Sequence, residues 1–407
     1  MAKLESARRK RLLSVIGPAF ITAAVVLGPG SISTASRMGG DFGYSLIWLM
    51  VFVCLFMCCY TAMGARFGAV SQESLLGAVA RKYGRWLSVV LGICSFTVCA
   101  GFQAGNNLGA GTAMETLTGQ PVWVWAVVFT VISLAIMFLT RRTYMVIEKL
   151  MLLLVILMIA AFFGTVIKAG PKFTSILKGL VPSVPGGSFP VVAAILGTTF
   201  SVVAALYQSY LVQEKGWKLA EYRTGIRDSI VGIVVLILIT TVIVITSAAV
   251  IQPKGLSVQK AGDMAGQLEP LLGSSAKWLF CLGLWAAAFS SFIVNSLIGG
   301  GLLADGLGFG RKMSGIPSKL LAALVMLIGM TVALVFRGTP VNVLIFLQGL
   351  TVVFVPGCAL VMILMLNDRE SMGEHVNGWL ANVIAAAGLA AVCLVAYERL
   401  VSLLERI

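Results

Sequence analysis

The sequence predicts an all-α polytopic membrane protein with eleven transmembrane helices, arranged as two inverted five-helix repeats and one extra helix. The first observation is composition: 59% of the 407 residues are hydrophobic and 11% are charged, whereas a soluble domain carries about 25% charged residues. The mean hydropathy is +0.98. The second is a series of eleven apolar segments, at residues 12–36, 44–66, 86–112, 121–140, 145–167, 190–213, 228–251, 275–304, 318–337, 340–365 and 377–404.

The third observation is the motif Gly28-Pro29-Gly30-Ser31 inside the first apolar segment. That segment is long enough to cross a hydrocarbon core of about 30 Å as a helix. Proline removes a helical donor and glycine frees the backbone, so the helix is predicted to break here. Unwound backbone at membrane depth must be buried in protein or line a watery cavity, as it does in many secondary transporters. A simple proline kink is the alternative.

An inverted repeat implies a corresponding break in the sixth helix. Residues 190–213 contain no internal proline after Pro190, but Gly197, Thr198, Thr199 and Ser201 lie close together. An ordinary helix whose hydroxyls bond back to their own carbonyls is equally compatible with this segment. We expect one transmembrane domain, with repeats at 1–182 and 183–370 and the last helix at 371–407.

The net charge of +14 follows the predicted topology. With the N-terminus in the cytoplasm, 20 of the 30 Lys and Arg residues flank helices on the cytoplasmic side, as the positive-inside rule requires. The excess charge therefore does not indicate a nucleic-acid partner. We expect a bacterial cytoplasmic (inner) membrane protein whose C-terminus lies outside.

Several function classes have no support in the sequence. The eight cysteines form no Cys-x-x-Cys pair, and the single histidine, His375, falls in a predicted loop. No zinc, haem or iron–sulfur spacing is present, and Gly299-Gly300-Gly301 lacks the Lys of a phosphate loop. We expect no cofactor, no enzymatic activity and no obligate protein partner. The predicted partners are the lipid bilayer and a small solute or ion.

The chain resembles the NRAMP family (natural-resistance-associated macrophage proteins), which are divalent-metal transporters with the leucine-transporter fold. The matches lie along nearly the whole chain, at Gly28-Pro29-Gly30-Ser31, Phe42-Gly43-Tyr44, Leu211-Val212-Gln213, Gln348 with Pro356, and Met372-Gly373 with Asn377. The resemblance implies broken helices one and six and transport by alternating access.

The chain departs from the family pattern at the positions that bind metal. Gly28 stands where the family has aspartate, Ser31 where it has asparagine, and Ser201 where it has a methionine. The acidic residue that serves proton transfer on helix three falls within residues 103–107, which contain no acid. The resemblance therefore covers the scaffold and not the site.

Two substrates remain open for such a site. A divalent cation in a low-dielectric site normally needs carboxylates, whereas the half-helix N-terminus at Gly30 and Ser31 presents free N–H donors and positive dipole charge. The residues therefore favour a small anionic or zwitterionic solute, without proton coupling. The alternative is a divalent cation, Mg²⁺ or Mn²⁺, that keeps several waters. A channel and a non-transporting receptor are the other classes considered.

We expect no catalytic residue and no metal-binding residue. The predicted substrate-binding residues are Gly28, Pro29, Gly30, Ser31, Gly197, Thr198, Thr199, Ser201 and Ala204. The predicted pathway-lining residues are Gln103, Asn106, Asn107, Gln208, Asn295 and Gln348. Polar groups inside a membrane are costly enough to indicate function, although hydrogen bonding between helices explains them equally well.

Overall fold

The computed structural model describes residues 27–139, 141–217, 219–256, 258–335 and 340–405. This part of the chain is helical and contains no strand. The helices are α1 (Pro29–Phe42), α2 (Ile47–Val70), α3 (Leu75–Tyr83), α4 (Arg85–Thr118), α5 (Val122–Leu139), α6 (Arg141–Ala169), α7 (Phe173–Lys178), α8 (Phe189–Thr199), α9 (Val202–Glu214), α10 (Leu219–Val250), α11 (Ala261–Ala265), α12 (Glu269–Leu272), α13 (Ala276–Leu307), α14 (Ile316–Val335), α15 (Pro340–Thr351), α16 (Val355–Leu366), α17 (Arg369–Met372) and α18 (Trp379–Leu404).

The described residues confirm a polytopic membrane protein. Nine of their helical stretches are long and apolar enough to cross a bilayer, and the stretch Val122–Phe138 is apolar but shorter. Most of the first predicted span precedes residue 27 and lies outside the described residues. The count of eleven helices therefore stays a prediction.

The helix α1 begins at Pro29, directly after Gly28, within the motif where the sequence predicts a break; the part of the first predicted span before residue 27 lies outside the described residues. Gly28 is extended, with φ −83° and ψ 166°, and α1 begins at Pro29. Proline suits the first position of a helix because its missing N–H would have no helical partner there. The Pro29 ring packs against Gly109 of α4, where a Cβ would overlap it. The start of α1 is therefore fixed against a second helix.

The sixth predicted helix consists of two helices, α8 and α9, separated at Phe200 and Ser201. The Ser201 hydroxyl accepts a hydrogen bond from the Ala204 N–H at 3.4 Å and so caps α9. The Phe200 ring is fully buried and lies 5.2 Å, centroid to centroid, from the ring of Tyr60 on α2. This packing directs Phe200 into the core and leaves the hydroxyl residues free for another surface.

The tenth predicted helix is also interrupted. A 3₁₀ turn at Val352–Phe354 separates α15 from α16, and Pro356 lies in the first turn of α16. The Thr351 hydroxyl donates to the Gln348 carbonyl oxygen at 2.7 Å. A mid-helix 3₁₀ stretch often marks a functional site or a hinge, and this one follows Gln348 by one turn.

Glycines allow the helices to approach one another closely. Gly64 of α2 faces the Ala205 carbonyl oxygen of α9, and a Cβ at Gly64 would overlap that oxygen. Small residues serve this purpose in membrane proteins, where helices associate by close packing. The contact holds α9, the second half of the broken sixth helix, against α2.

Gly64→Ala is expected to destabilise the protein by about 3 kcal/mol, the upper end of ordinary overpacking, because the new methyl group meets backbone. Gly357→Ala is the control, since its Cβ would lie 3.9 Å from Leu91 in ordinary contact and alanine favours a helix. Thermal unfolding in detergent should show a lower melting temperature for Gly64→Ala only. Equal melting temperatures for the two variants would contradict this packing.

Candidate functional site

A cavity of about 200 Å³ lies between the start of α1 and the interruption that separates α8 from α9. It is bounded by residues of α1, α2, α4, α8, α9, α10, α13 and α15. Eleven of the predicted site residues line it: Gly28, Pro29, Gly30, Ser31, Asn106, Thr198, Thr199, Ser201, Ala204, Asn295 and Gln348. The structure therefore brings most of the predicted substrate-binding residues together around one space.

Four predicted residues do not line the cavity. Gly197 packs beneath it, against the backbone carbonyl of Gln348. The Gln208 amide donates to the Ser229 hydroxyl at 3.1 Å, which joins α9 to α10. Gln103 and Asn107 are fully buried in the helix interface, where both form hydrogen bonds, although Gln103 Nε2 has no partner among the described residues.

Gln103 is the centre of a polar network behind the cavity. Its Oε1 accepts hydrogen bonds from Asn295 Nδ2 at 3.3 Å and from Ser296 Oγ at 3.2 Å. The Asn107 amide donates to the Gln103 carbonyl at 3.0 Å, and its own Oδ1 accepts from Thr130 at 3.1 Å. These neutral groups join α4 to α5 and α13.

The end of α8 contributes oxygen atoms to the site. The helix ends at Thr199, and the last carbonyls of a helix have no partner within it and carry negative dipole charge. The Thr198 and Thr199 hydroxyl oxygens lie 3.2 Å apart at this end, and the Ser201 side chain follows across the break. The break thus offers oxygen ligands as well as N–H donors.

Gln348 of α15 supplies a side-chain amide to the cavity. It is 3% exposed, and its Oε1 atom is buried without a hydrogen-bond partner in the described part of the chain. An unpaired buried carbonyl costs about 1–3 kcal/mol, and a ligand that reaches it would remove this cost. A metal ion and its waters are ligands of this kind, because amide oxygens coordinate hard cations.

Several lining residues were not predicted from the sequence. Two carry sulfur, Met57 of α2 and Cys99 of α4, and two are the adjacent hydroxyl residues Ser290 and Ser291 of α13. The remaining ones are apolar: Phe102, Val203, Leu236, Val294 and Ile298. The serine pair inside a long apolar helix was a usable indication. Single Met and Cys residues in an apolar helix resemble ordinary core.

None of the described residues that line the cavity carries a charge. Asp305, near the end of α13, is a buried carboxylate, but it accepts a hydrogen bond from the Tyr210 hydroxyl at 2.6 Å and does not line the cavity. The ligands that the described lining offers are therefore neutral oxygen and sulfur atoms.

Comparison with known proteins gives relatives over nearly the whole chain. The chain is 28% identical over 395 residues to the divalent metal cation transporter MntH of Deinococcus radiodurans, covering 93% of this chain and 89% of the relative. It is 26% identical over 390 residues to MntH of Pectobacterium carotovorum, covering 92% and 91%. A solved structure of the Eremococcus coleocola manganese transporter, in complex with an aromatic bis-isothiourea substituted compound, superposes with a TM-score of 0.75 at 20% identity, covering 95% and 86%.

The sequence-based expectation of a small anionic or zwitterionic solute is wrong. The relatives are named as divalent metal cation transporters and the structural neighbour as a manganese transporter. That expectation rested on the missing carboxylates and on the N–H donors at the start of α1. It left out the carbonyl end of α8, which the interruption of the sixth helix exposes. The negative dipole charge at this end attracts cations.

The family described as natural resistance-associated macrophage protein-like matches residues 19–402. This match covers most of the chain, and the structural likeness shows the leucine-transporter fold. The family consists of membrane transporters and not of enzymes. The chain therefore belongs to the natural resistance-associated macrophage protein-like family of membrane transporters.

Proposed function

We propose that this protein is a secondary transporter that carries a partly hydrated divalent metal cation by alternating access. The ion binds in the cavity between Gly28–Ser31 and the break at Thr199–Ser201. The observation that carries the proposal is the buried, unpartnered Gln348 Oε1 beside a lining of neutral oxygens. The names of the relatives favour a metal substrate.

The size of the cavity supports a hydrated ion. A water molecule takes about 30 Å³ in the liquid, so about 200 Å³ admits an ion together with several waters. Removing a divalent ion fully from water requires compensating charge, which the described lining does not provide. An ion that keeps part of its shell avoids most of this cost, and Mg²⁺ in proteins usually does so.

Each part of the site has a distinct role in this proposal. The carbonyls and hydroxyls at the end of α8 and the Gln348 amide replace some of the waters of the ion. Ser31 and Asn106 hydrogen-bond to the waters that remain. The break at Gly28 supplies backbone that can rearrange when the cavity opens to the other side of the membrane.

The proposal includes the orientation and location of the protein. The N-terminus lies in the cytoplasm and the C-terminus outside, in a bacterial cytoplasmic membrane. The distribution of Lys and Arg along the sequence supports this orientation. A cysteine introduced at an exposed loop position, labelled from one side of sealed vesicles, tests it.

Uptake of Mn²⁺ and Mg²⁺ into proteoliposomes tests the function. We expect saturable uptake of at least one of the two ions, reduced about tenfold by Gln348→Ala, because one neutral oxygen ligand contributes up to about 1.4 kcal/mol. Gln208→Ala is the matched control: it makes the same chemical change at a glutamine that bonds Ser229 outside the cavity. Absence of saturable uptake, or equal effects of the two substitutions, would contradict the proposal.

A further inference from the structure

Two glycines on different helices enclose the side chain of Gln348. A Cβ on Gly30 of α1 would overlap the whole carboxamide of Gln348. A Cβ on Gly105 of α4 would lie 2.6 Å from Gln348 Nε2 and 3.6 Å from Cδ. The carboxamide therefore occupies a slot between the two helices that is open only because both residues lack a side chain.

The backbone of Gln348 is held as closely as its side chain. Gly197 of α8 lies against the Gln348 carbonyl, and a Cβ there would overlap the oxygen. The same oxygen accepts a hydrogen bond from Thr351 at 2.7 Å. With its main chain fixed by α8 and its amide confined by α1 and α4, Gln348 has little freedom to place its Oε1 elsewhere.

We propose that Gly105 is a positioning residue of the transport site, which together with Gly30 fixes the Gln348 carboxamide where its oxygen meets the substrate ion. The inference rests on the proposed function and assigns a role to a residue that does not itself line the cavity. Gly105 acts through Gln348, since the nearest atoms that its Cβ would meet all belong to that side chain. A methyl group at residue 105 would push the amide along the slot by a few tenths of an ångström or more.

Gly105→Ala adds only one methyl group, so we expect a change in ion binding without loss of the fold. The contact would be with the end of the Gln348 side chain and not with backbone, so the amide and not the helix would shift. Alanine also favours a helix interior over glycine, so the variant should fold. We expect its apparent affinity for Mn²⁺ to fall about fivefold, within the range for weakening one neutral ligand.

A double-mutant cycle with Gln348→Ala separates positioning from general damage. Once the amide is removed, Gly105→Ala should have no further effect on Mn²⁺ affinity. Gly164→Ala of α6 is the matched control. Its Cβ would lie 2.7 Å from the flexible side chain of Leu271, and Leu271 does not line the cavity. It should leave the affinity unchanged in both backgrounds.

The readouts are Mn²⁺ uptake kinetics in proteoliposomes and the melting temperature of each variant. An equal loss of Mn²⁺ affinity from Gly105→Ala with and without the Gln348 side chain would overturn the inference. Saturable uptake by the wild-type protein would in that case leave the proposed function intact. Absence of saturable Mn²⁺ and Mg²⁺ uptake by the wild type would overturn both. Loss of affinity only when Gln348 is present, with a melting temperature near that of the wild type, supports the positioning role.

Discussion

Gly30→Leu is expected to abolish transport, reducing uptake at least about 100-fold, while the protein remains folded. A side chain at residue 30 would occupy the space of the Gln348 carboxamide, which already lies in a slot too narrow for a methyl group. The leucine must then either displace Gln348 or fill the cavity, and both outcomes remove the ion site. The effect exceeds that of Gln348→Ala because space is lost as well as a ligand.

Uptake into proteoliposomes measures the effect, and size-exclusion chromatography reports folding. Gly378→Leu is the control, since Gly378 is exposed and a Cβ there would have no neighbour within 4 Å. Gly378→Leu should transport like the wild type. Unchanged uptake by Gly30→Leu would remove the basis for placing the site at the first break.

Gly28→Asp is expected to tighten Mn²⁺ binding by about 10- to 100-fold, because interactions with a charged group contribute about 1.5–3 kcal/mol. A Cβ at Gly28 would meet nothing within 4 Å, and its extended backbone suits any residue. The carboxylate would enter a cavity without charge in its described lining. Tighter binding should slow release, so the maximal rate is expected to fall while the affinity rises.

Thermal stabilisation by Mn²⁺ measures the affinity of Gly28→Asp, since a ligand that binds the folded protein alone raises its stability. Gly28→Asn is the matched control, with the same shape and no charge. It should bind Mn²⁺ with nearly wild-type affinity. Equal binding by the two variants would show that charge at residue 28 does not act on the ion.

The helix breaks differ in how well they could be predicted. Pro29 lacks an N–H, so the sequence alone predicts a break in the first helix at this residue. The second break depends on whether the Ser201 hydroxyl bonds back along a continuous helix or caps a new one. In the structure the hydroxyl caps α9, and the Phe200 ring packs on Tyr60 of α2. That contact lies 140 residues away in sequence, so local pattern could not decide it.

The polar residues within the helices show a similar limit. Asn106, Asn295 and Gln348 line the cavity, although Asn295 also bonds α4, whereas Gln103 and Gln208 bond other helices and do not line it. All five are uncharged side chains in apolar surroundings, and their composition alone does not distinguish a pathway from a helix contact. The rotation of each helix about its own axis decides which side chains face the cavity and which face a neighbouring helix. Packing across the whole bundle sets that rotation.

The described lining of the cavity carries no charge, and this affects how membrane voltage would act on the proposed transport. A divalent ion that meets no protein carboxylate keeps its two positive charges as it enters the electric field. Moving two elementary charges across a potential of 100 mV changes their free energy by about 4.6 kcal/mol. This difference changes an equilibrium constant about 2,000-fold. Ion movement through this site should therefore produce a current, and its rate should follow the voltage across the membrane.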